Sequence, residues 1–193
     1  MLKCRDDIVL VHYRIMQGTA ILFSEMTPDS SWEDEFNDWY DHEHVPLRMG
    51  VPGFRSALRY VVPNTRNYLA IYEMDSTEVL RTPAYQSVKN NPSERTRRML
   101  ANVKGFTRYI GEQVGDQASQ SLDAPFLLTV FFEIPSEIPL LLERKDCLMV
   151  RQFRIVDGEP KPWTHLVLYY LAGPVSLESP ERSRLYQRYE RGL

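Results

Sequence analysis

The sequence is poor in cysteine and has no long hydrophobic run. Its 193 residues include 2 cysteines, Cys4 and Cys147, with no CxxC pair. This excludes a disulfide framework and favours a reducing compartment. The apolar run at residues 8–11 is short and follows two aspartates, unlike a signal peptide, and no run approaches the roughly 18 apolar residues of a membrane span. These absences predict a cytoplasmic protein without membrane contact.

An excess of positive charge is also absent. The chain has 23 Lys and Arg against 26 Asp and Glu, for a net charge of -3, which gives no long-range attraction for nucleic acid. It also lacks the GxGxxG, P-loop, GxSxG and HExxH motifs, so nothing indicates a nucleotide site or a serine hydrolase. We therefore expect no nucleic-acid partner and no cofactor.

What the sequence does contain is two similar halves, separated by a polar linker at residues 115–124. In the first half, the apolar patterns predict strands at residues 20–26, 54–62, 68–74 and 106–113, and helices at residues 30–45, 76–88 and 93–101. This β-α-β-β-α-β order is that of the ferredoxin-like fold.

The second half repeats this outline less completely. Strands are predicted at residues 126–134, 148–156 and 165–171, with a turn at 157–158, and helices at residues 136–144 and 179–191. This leaves the half one strand short. Because residues 9–15 alternate apolar and polar side chains, we hypothesise that a strand at 8–15 fills the vacancy. A loose N-terminal extension is the alternative.

Together these patterns predict an α+β protein in which two ferredoxin-like βαββαβ repeats form a pseudo-dimeric α/β barrel. Its predicted parts are an N-terminal extension at 1–19, a first repeat at 20–114, the linker at 115–124, and a degenerate second repeat at 125–193.

The densest chemical pattern lies in the first predicted helix. Side chains four positions apart share one side of a helix, and this spacing joins Trp32, Phe36, Tyr40 and His44. His44 therefore points towards the sheet, near the helix end expected at Pro46. There the helix dipole favours the imidazolium form, which makes His44 a candidate general acid or base. A core histidine bonded to a backbone carbonyl is the alternative.

Acidic residues surround His44 in the sequence. Glu43 falls close to the same face, where it could orient or pair with the imidazole. Asp38 and His42 have the i, i+4 spacing of a metal pair, but they lie on the polar face and lack further ligands. We therefore expect no metal site and interpret Asp38, Asp41 and His42 as a solvated helix surface.

The same segment carries a family motif. The pattern FxxWYxxxHxPL begins at Phe36 and ends at Leu47, and a Pro-Gly turn follows at residues 52–53. It resembles the motif of EthD-like proteins, a family of the dimeric α/β-barrel superfamily named for ethyl tert-butyl ether degradation. The resemblance covers residues 20–113. The second half has no equivalent of WYxxxHxPL.

The resemblance implies a pocket between helices and sheet that holds an apolar or aromatic compound and is contacted by His44. Relatives include lyases, isomerases, cyclases and oxygenases that work without metal or flavin. By the same resemblance, only the first half would keep a pocket, and the second would act as a built-in partner. The expected partners are a small-molecule ligand and a second copy in a homodimer.

Six aromatic side chains are candidates for lining such a pocket, and each would fit a plain core equally well: Trp32, Phe36, Trp39, Tyr40, Tyr60 and Tyr72.

The favoured function is a cofactor-independent enzyme of lyase or isomerase type, acting by proton transfer on a small cyclic or aromatic metabolite. His44 would be the acid or base and Glu43 its partner. A non-catalytic small-molecule binding protein would use the same pocket, whereas a structural or oligomerisation module would fill it with its own side chains. An open cavity at His44 separates the first two functions from the third.

Overall fold

A computed structural model describes residues 20–114, 122–134, 146–160, 162–177 and 181–190. The predictions for residues 1–19 and for the helix at 136–144 lie outside these ranges, as does most of the linker.

Eight strands and several short helical segments make up the described residues. The strands are β1 (Ala20–Thr27), β2 (Phe54–Val61), β3 (Tyr68–Met74), β4 (Lys104–Gln113), β5 (Phe126–Phe132), β6 (Cys147–Glu159), β7 (His165–Leu171) and β8 (Ser183–Arg188). The α-helices are α1 (Glu33–Trp39), α2 (Val45–Met49), α3 (Pro83–Asn90) and α4 (Glu94–Asn102). Two 3₁₀ turns (Ser30–Trp32 and Thr77–Arg81) and a π-helical turn (Tyr40–His44) accompany them. None of the helices among these residues is long and apolar enough to cross a membrane.

The strands close into one antiparallel barrel in the order β1-β3-β2-β8-β5-β7-β6-β4. The four strands of each half run 4-1-3-2 by their order within that half, which is the ferredoxin-like order. The halves meet at two seams, where β2 pairs with β8 and β4 pairs with β6. The predicted α+β barrel is confirmed at this level.

Strand alternation divides the first-half sheet into two faces. Inward-facing side chains such as Phe23, Tyr60 and Ile71 fill the barrel. Outward-facing ones such as Leu22 and Tyr72 pack under the helices. The space between helices and sheet is therefore outside the barrel, on the first half.

Two ion pairs connect the two halves of the barrel, one fully buried and the other with its arginine side chain 44% exposed. The Glu25 carboxylate accepts a hydrogen bond from Arg184 at 2.5 Å and another from the Tyr186 hydroxyl at 2.5 Å. Glu73 accepts one from Arg151 at 2.6 Å, and both of these side chains are 0% exposed. In both pairs the carboxylate comes from the first half and the guanidinium from the second.

The prediction of a final helix at residues 179–191 is wrong, because these residues contain strand β8. This strand forms backbone hydrogen bonds on both sides, to β5 and to β2, and it buries Tyr186 completely inside the barrel. Ladder bonds on two edges and core burial outweigh the helical preference of an arginine-rich segment. The second half thus has a fourth strand of its own, and the strand hypothesised at 8–15 lies outside the described residues.

The turn predicted at residues 157–158 also differs from the structure, because β6 runs through it to Glu159. Gly158 has a φ of 137° and lies opposite Tyr109 at the seam with β4. The glycine therefore allows β6 and β4 to approach each other closely and does not form a hairpin turn.

Candidate active site

The helix that carries the motif does not end at Pro46. A π-helical turn at Tyr40–His44 leads into α2, with the Val45 amide donating to the Tyr40 carbonyl oxygen. A proline lacks an amide hydrogen and crowds the carbonyl one turn earlier. The wider π turn accommodates both effects and lets the helix continue to Met49. The prediction that the helix ends at Val45–Pro46 is therefore wrong, and His44 lies within a continuing helical segment.

The aromatic cluster forms the packing between helix and sheet, as the helical spacing predicts. Phe36, Trp39 and Tyr40 are almost fully buried, and Trp32 is partly buried with its ring 6.2 Å from that of Phe36. The Trp39 indole donates a hydrogen bond to the Thr96 hydroxyl at 3.0 Å. These four aromatic residues belong to the packed core between helix and sheet and do not line the cavity described next.

A cavity of about 350 Å³ lies between the outer sheet face and the helices. Strands β1 and β3 supply Ser24 and Tyr72, and His44 reaches it from the π turn. Two of the predicted site residues, His44 and Tyr72, therefore line one cavity. Tyr60 does not, because it lies on the opposite sheet face inside the barrel.

His44 is 6% exposed and stacks at an angle against two aromatic rings, with its centroid 4.6 Å from Trp39 and 5.0 Å from Tyr40. Burial, together with the positive charges of Arg48 and Arg59, lowers the pKa of His44 to about 3. The expectation of a dipole-raised pKa near neutrality is wrong, because the ring is buried next to two cations and the helix continues past His44. The imidazole is neutral at physiological pH.

The hydroxyls of Tyr72 and Tyr40 lie close together beneath the cavity. Burial raises the pKa of both phenols. Among the described residues, neither hydroxyl has a hydrogen-bond partner of regular geometry. Buried polar groups are normally paired, so a further hydrogen-bonding partner would stabilise this pair of hydroxyls.

Glu43 is not bonded to the imidazole. Its carboxylate accepts hydrogen bonds from the hydroxyls of Ser93 and of Thr96, the latter at 3.0 Å. Ser93 is the N-cap of α4 and also accepts from the Thr96 amide at 2.9 Å. Glu43 thus ties the π turn to the start of α4. It also borders a shallower neighbouring groove that contains His42.

Three cationic residues at the cavity were not among the predicted site residues: Arg48, Lys89 and Arg108. Arg48 extends the spacing that links Tyr40 to His44 by one further step of four, so the helical pattern contained a signal for it. Arg108 and Lys89 come from distant elements, β4 and α3, and only the fold brings them to the cavity.

The acidic residues on the outer helix surface form ion pairs. His42 contacts the Asp38 carboxylate at 3.1 Å, and Arg95 donates to Asp38 at 2.8 Å. Asp41 accepts from Arg59 at 2.5 Å. Within the described ranges no group of three or more His, Cys, Asp or Glu side chains is arranged to hold a metal ion.

Several solved structures resemble the chain over most of its length, and three illustrate the likeness. An anthrone oxidase-like protein has a TM-score of 0.56 and 9% identity, covering 89% of this chain and 91% of that chain. A candidate monooxygenase from Fusobacterium nucleatum subsp. nucleatum has a TM-score of 0.51 and 10% identity, covering 90% and 93%. A candidate chlorite dismutase has a TM-score of 0.50 and 10% identity, covering 89% and 96%.

Comparisons with protein-family models and with curated proteins find no match. At identities near 10%, the structural likeness shows the fold and nothing finer. The chain has the fold of the dimeric α/β barrels.

Proposed function

We propose that this protein is an EthD-like enzyme that binds a small cyclic or aromatic compound and transfers a proton within it. The observation that carries the proposal is the cavity of about 350 Å³ with His44 and Tyr72 in its wall. Ligand sites are typically concave and mostly apolar with a few polar anchors, and span roughly 300–1,000 Å³. A purely structural module would be expected to fill this space with its own side chains.

The two polar groups suit proton transfer next to a carbonyl. His44 removes a proton from the carbon beside the carbonyl, and the electron pair moves to the carbonyl oxygen. The Tyr72 hydroxyl, kept protonated by its raised pKa, donates a hydrogen bond to that oxygen. Return of the proton to another carbon completes an isomerisation, and loss of a leaving group completes a lyase reaction. Neither outcome requires a cofactor.

The names of the structural neighbours support chemistry on small molecules. One is described as anthrone oxidase-like and another as a candidate monooxygenase. We further propose that the chain is a fused pseudo-dimer in which the second half replaces a partner subunit. The matching strand order of the two halves supports this arrangement.

A non-catalytic binding protein is the second candidate, and the pKa of His44 favours it. An imidazole with a pKa of about 3 is a weak base at neutral pH, below the range that suits general base catalysis. Such a histidine still serves as a neutral hydrogen-bonding group for a ligand.

Screening small cyclic and aromatic compounds by thermal shift tests the cavity, because a ligand that binds the native state raises its Tm. We expect the compounds that stabilise the wild type to raise the Tm of Tyr72→Phe and of Leu47→Trp by less. The larger side chain of Leu47→Trp narrows the cavity mouth. Tyr60→Phe is the matched control, since it removes a buried hydroxyl from the opposite sheet face.

The His44→Gln variant separates the two candidates. Loss of turnover with ligand binding kept supports the enzyme, and absence of turnover in the wild type supports the binding protein. If no compound stabilises the wild type, or if the stabilising compounds are unaffected by Tyr72→Phe and Leu47→Trp, both candidates are wrong.

A further inference from the structure

The cavity is positively charged on one side. Arg48 from α2, Lys89 from α3 and Arg108 from β4 all line it. None of its lining side chains among the described residues is acidic. This local excess of positive charge contrasts with the net charge of -3 of the whole chain.

Arg48 is held in place without being neutralised. Its guanidinium lies 5.4 Å from the centre of the Tyr85 ring, a cation–π distance that orients it. Its Nε is buried and has no hydrogen-bond partner within the described part of the chain. A buried donor on a charged group is costly to leave unpaired. The Nε of Arg59 is buried in the same way, so what distinguishes Arg48 is that its side chain lines the cavity, where a ligand can accept hydrogen bonds from it.

Arg59 lies in the same region and, unlike Arg48, has its charge neutralised by a carboxylate. It is buried beside Tyr40, but Asp41 accepts from it at 2.5 Å and Asn37 accepts at 2.7 Å. Arg108, in contrast, makes a single ion pair with the described residues, a long contact of 3.6 Å with the carboxylate of Asp157, whose side chain is 68% exposed. The cavity cations therefore retain most of their capacity to bind an anion.

The cavity mouth is apolar. Leu47, Leu100 and Phe106 line it and are 45%, 41% and 51% exposed, which is unusual for large hydrophobic side chains grouped around one opening. An inorganic anion would leave this rim in water. A ligand with an apolar body would cover it.

We infer that the ligand is an organic acid, namely an apolar ring system that bears a carboxylate, with Arg48 as the principal anchor and Arg108 as the second. This inference rests on the proposed function and adds the ligand class. The carboxylate binds the guanidinium groups, the ring contacts the apolar mouth, and His44 and Tyr72 face the remaining part of the molecule. A planar guanidinium suits this task because it can donate two parallel hydrogen bonds to one carboxylate.

Isothermal titration with a matched pair of probes, 1-naphthoate and its neutral analogue 1-naphthamide, tests the inference. We expect the wild type to bind the carboxylate at least about tenfold more tightly, as charge-assisted hydrogen bonds predict. Arg48→Met should abolish that preference, Arg108→Met should reduce it, and Arg48→Lys should retain part of it. Arg81→Met is the control, since Arg81 is an exposed arginine paired with Glu78 away from the cavity.

The inference is overturned if 1-naphthamide binds as tightly as 1-naphthoate, or if the preference survives in Arg48→Met and Arg108→Met. It is equally overturned if neither probe binds while neutral compounds from the thermal-shift screen do, in which case the proposed function still stands. If no compound of either charge binds, the proposed function fails together with the inference. A cooperative unfolding transition in each arginine variant ensures that the comparison is made between folded proteins.

Discussion

The charge state of His44 follows from its neighbours. Its ring is enclosed by Trp39 and Tyr40, and the nearby cations Arg48 and Arg59 disfavour a second positive charge. Removing a charged group from water is unfavourable without a paired counter-charge. A bound carboxylate at Arg48 would supply such a counter-charge and raise the pKa of His44, so the ligand itself would make this histidine a better base.

The low pKa of His44 predicts acid sensitivity. The unfolded chain takes up a proton on His44 below about pH 6.5, whereas the native protein does so only near the folded pKa of about 3. Stability contributed by the neutral ring is therefore lost as pH falls through this window. Between about pH 7 and about pH 5, the wild type should lose about 2 kcal/mol more unfolding free energy than His44→Gln.

Urea denaturation at both pH values measures this difference. The control is His42→Gln, which removes a ring that is mostly exposed and should leave the pH dependence of the wild type in place. An equal stability gap between wild type and His44→Gln at both pH values would contradict the prediction.

At the level of elements, the sequence predicted the strands of the first half and the inward direction of His44. Alternation and helical spacing are local patterns, and β1 to β4 follow them. Strand β8 was missed because its stability comes from pairing with β2 and β5, which are distant in the chain. The helix continuation beyond Pro46 was missed because a π turn has no sequence pattern of its own. The cationic side of the cavity was missed because Lys89 and Arg108 meet Arg48 only in three dimensions.

The contact between the π turn and α4 is predicted to make the stabilities of these two elements depend on each other. Ser93 caps α4 and donates to Glu43, so Ser93→Ala should lower the unfolding free energy by about 1 kcal/mol or more. Glu43→Gln keeps an acceptor but loses the charge, and its effect should not add to that of Ser93→Ala.

A double-mutant cycle by chemical denaturation measures this coupling. The matched control is Thr82→Ala, which removes the N-cap of α3 and should add independently to Glu43→Gln. Full additivity of Ser93→Ala and Glu43→Gln would show that the two elements are not coupled through this carboxylate.

Ion pairs between the two halves contribute to the stability of the whole molecule. Replacing one member of a fully buried ion pair leaves the other charge without a partner, so Arg151→Met should cost about 3 kcal/mol or more. Adding Glu73→Met should recover much of the loss, because an apolar pair needs no counter-charge. In contrast, Arg81→Met breaks an exposed pair with Glu78 and should cost less than about 1 kcal/mol. Denaturant titrations of the three variants measure these costs, and an effect of Arg151→Met as small as that of Arg81→Met would contradict the prediction.

The seam between β4 and β6 gives a second prediction at this scale. A Cβ at Gly158 would clash with the Arg108 carbonyl oxygen and lie 2.7 Å from the Tyr109 Cα, at a φ of 137°. Gly158→Ala should therefore lower the unfolding free energy by more than about 2 kcal/mol. Gly173→Ala is the control, since no atom lies within 4 Å of its added Cβ, and comparable effects of the two substitutions would be inconsistent with a close approach at the seam.

In both of these ion pairs one half supplies the carboxylate and the other supplies the arginine. This restricts which halves can form such a barrel together. Glu25 and Glu73 belong to the first half, and their guanidinium partners Arg151 and Arg184 belong to the second. Two first halves would bring four of these carboxylates together without the arginines, and two second halves would bring the arginines together without the carboxylates. Like charges enclosed together are strongly unfavourable. The placement of these charges therefore favours pairing of a first half with a second half over pairing of two like halves.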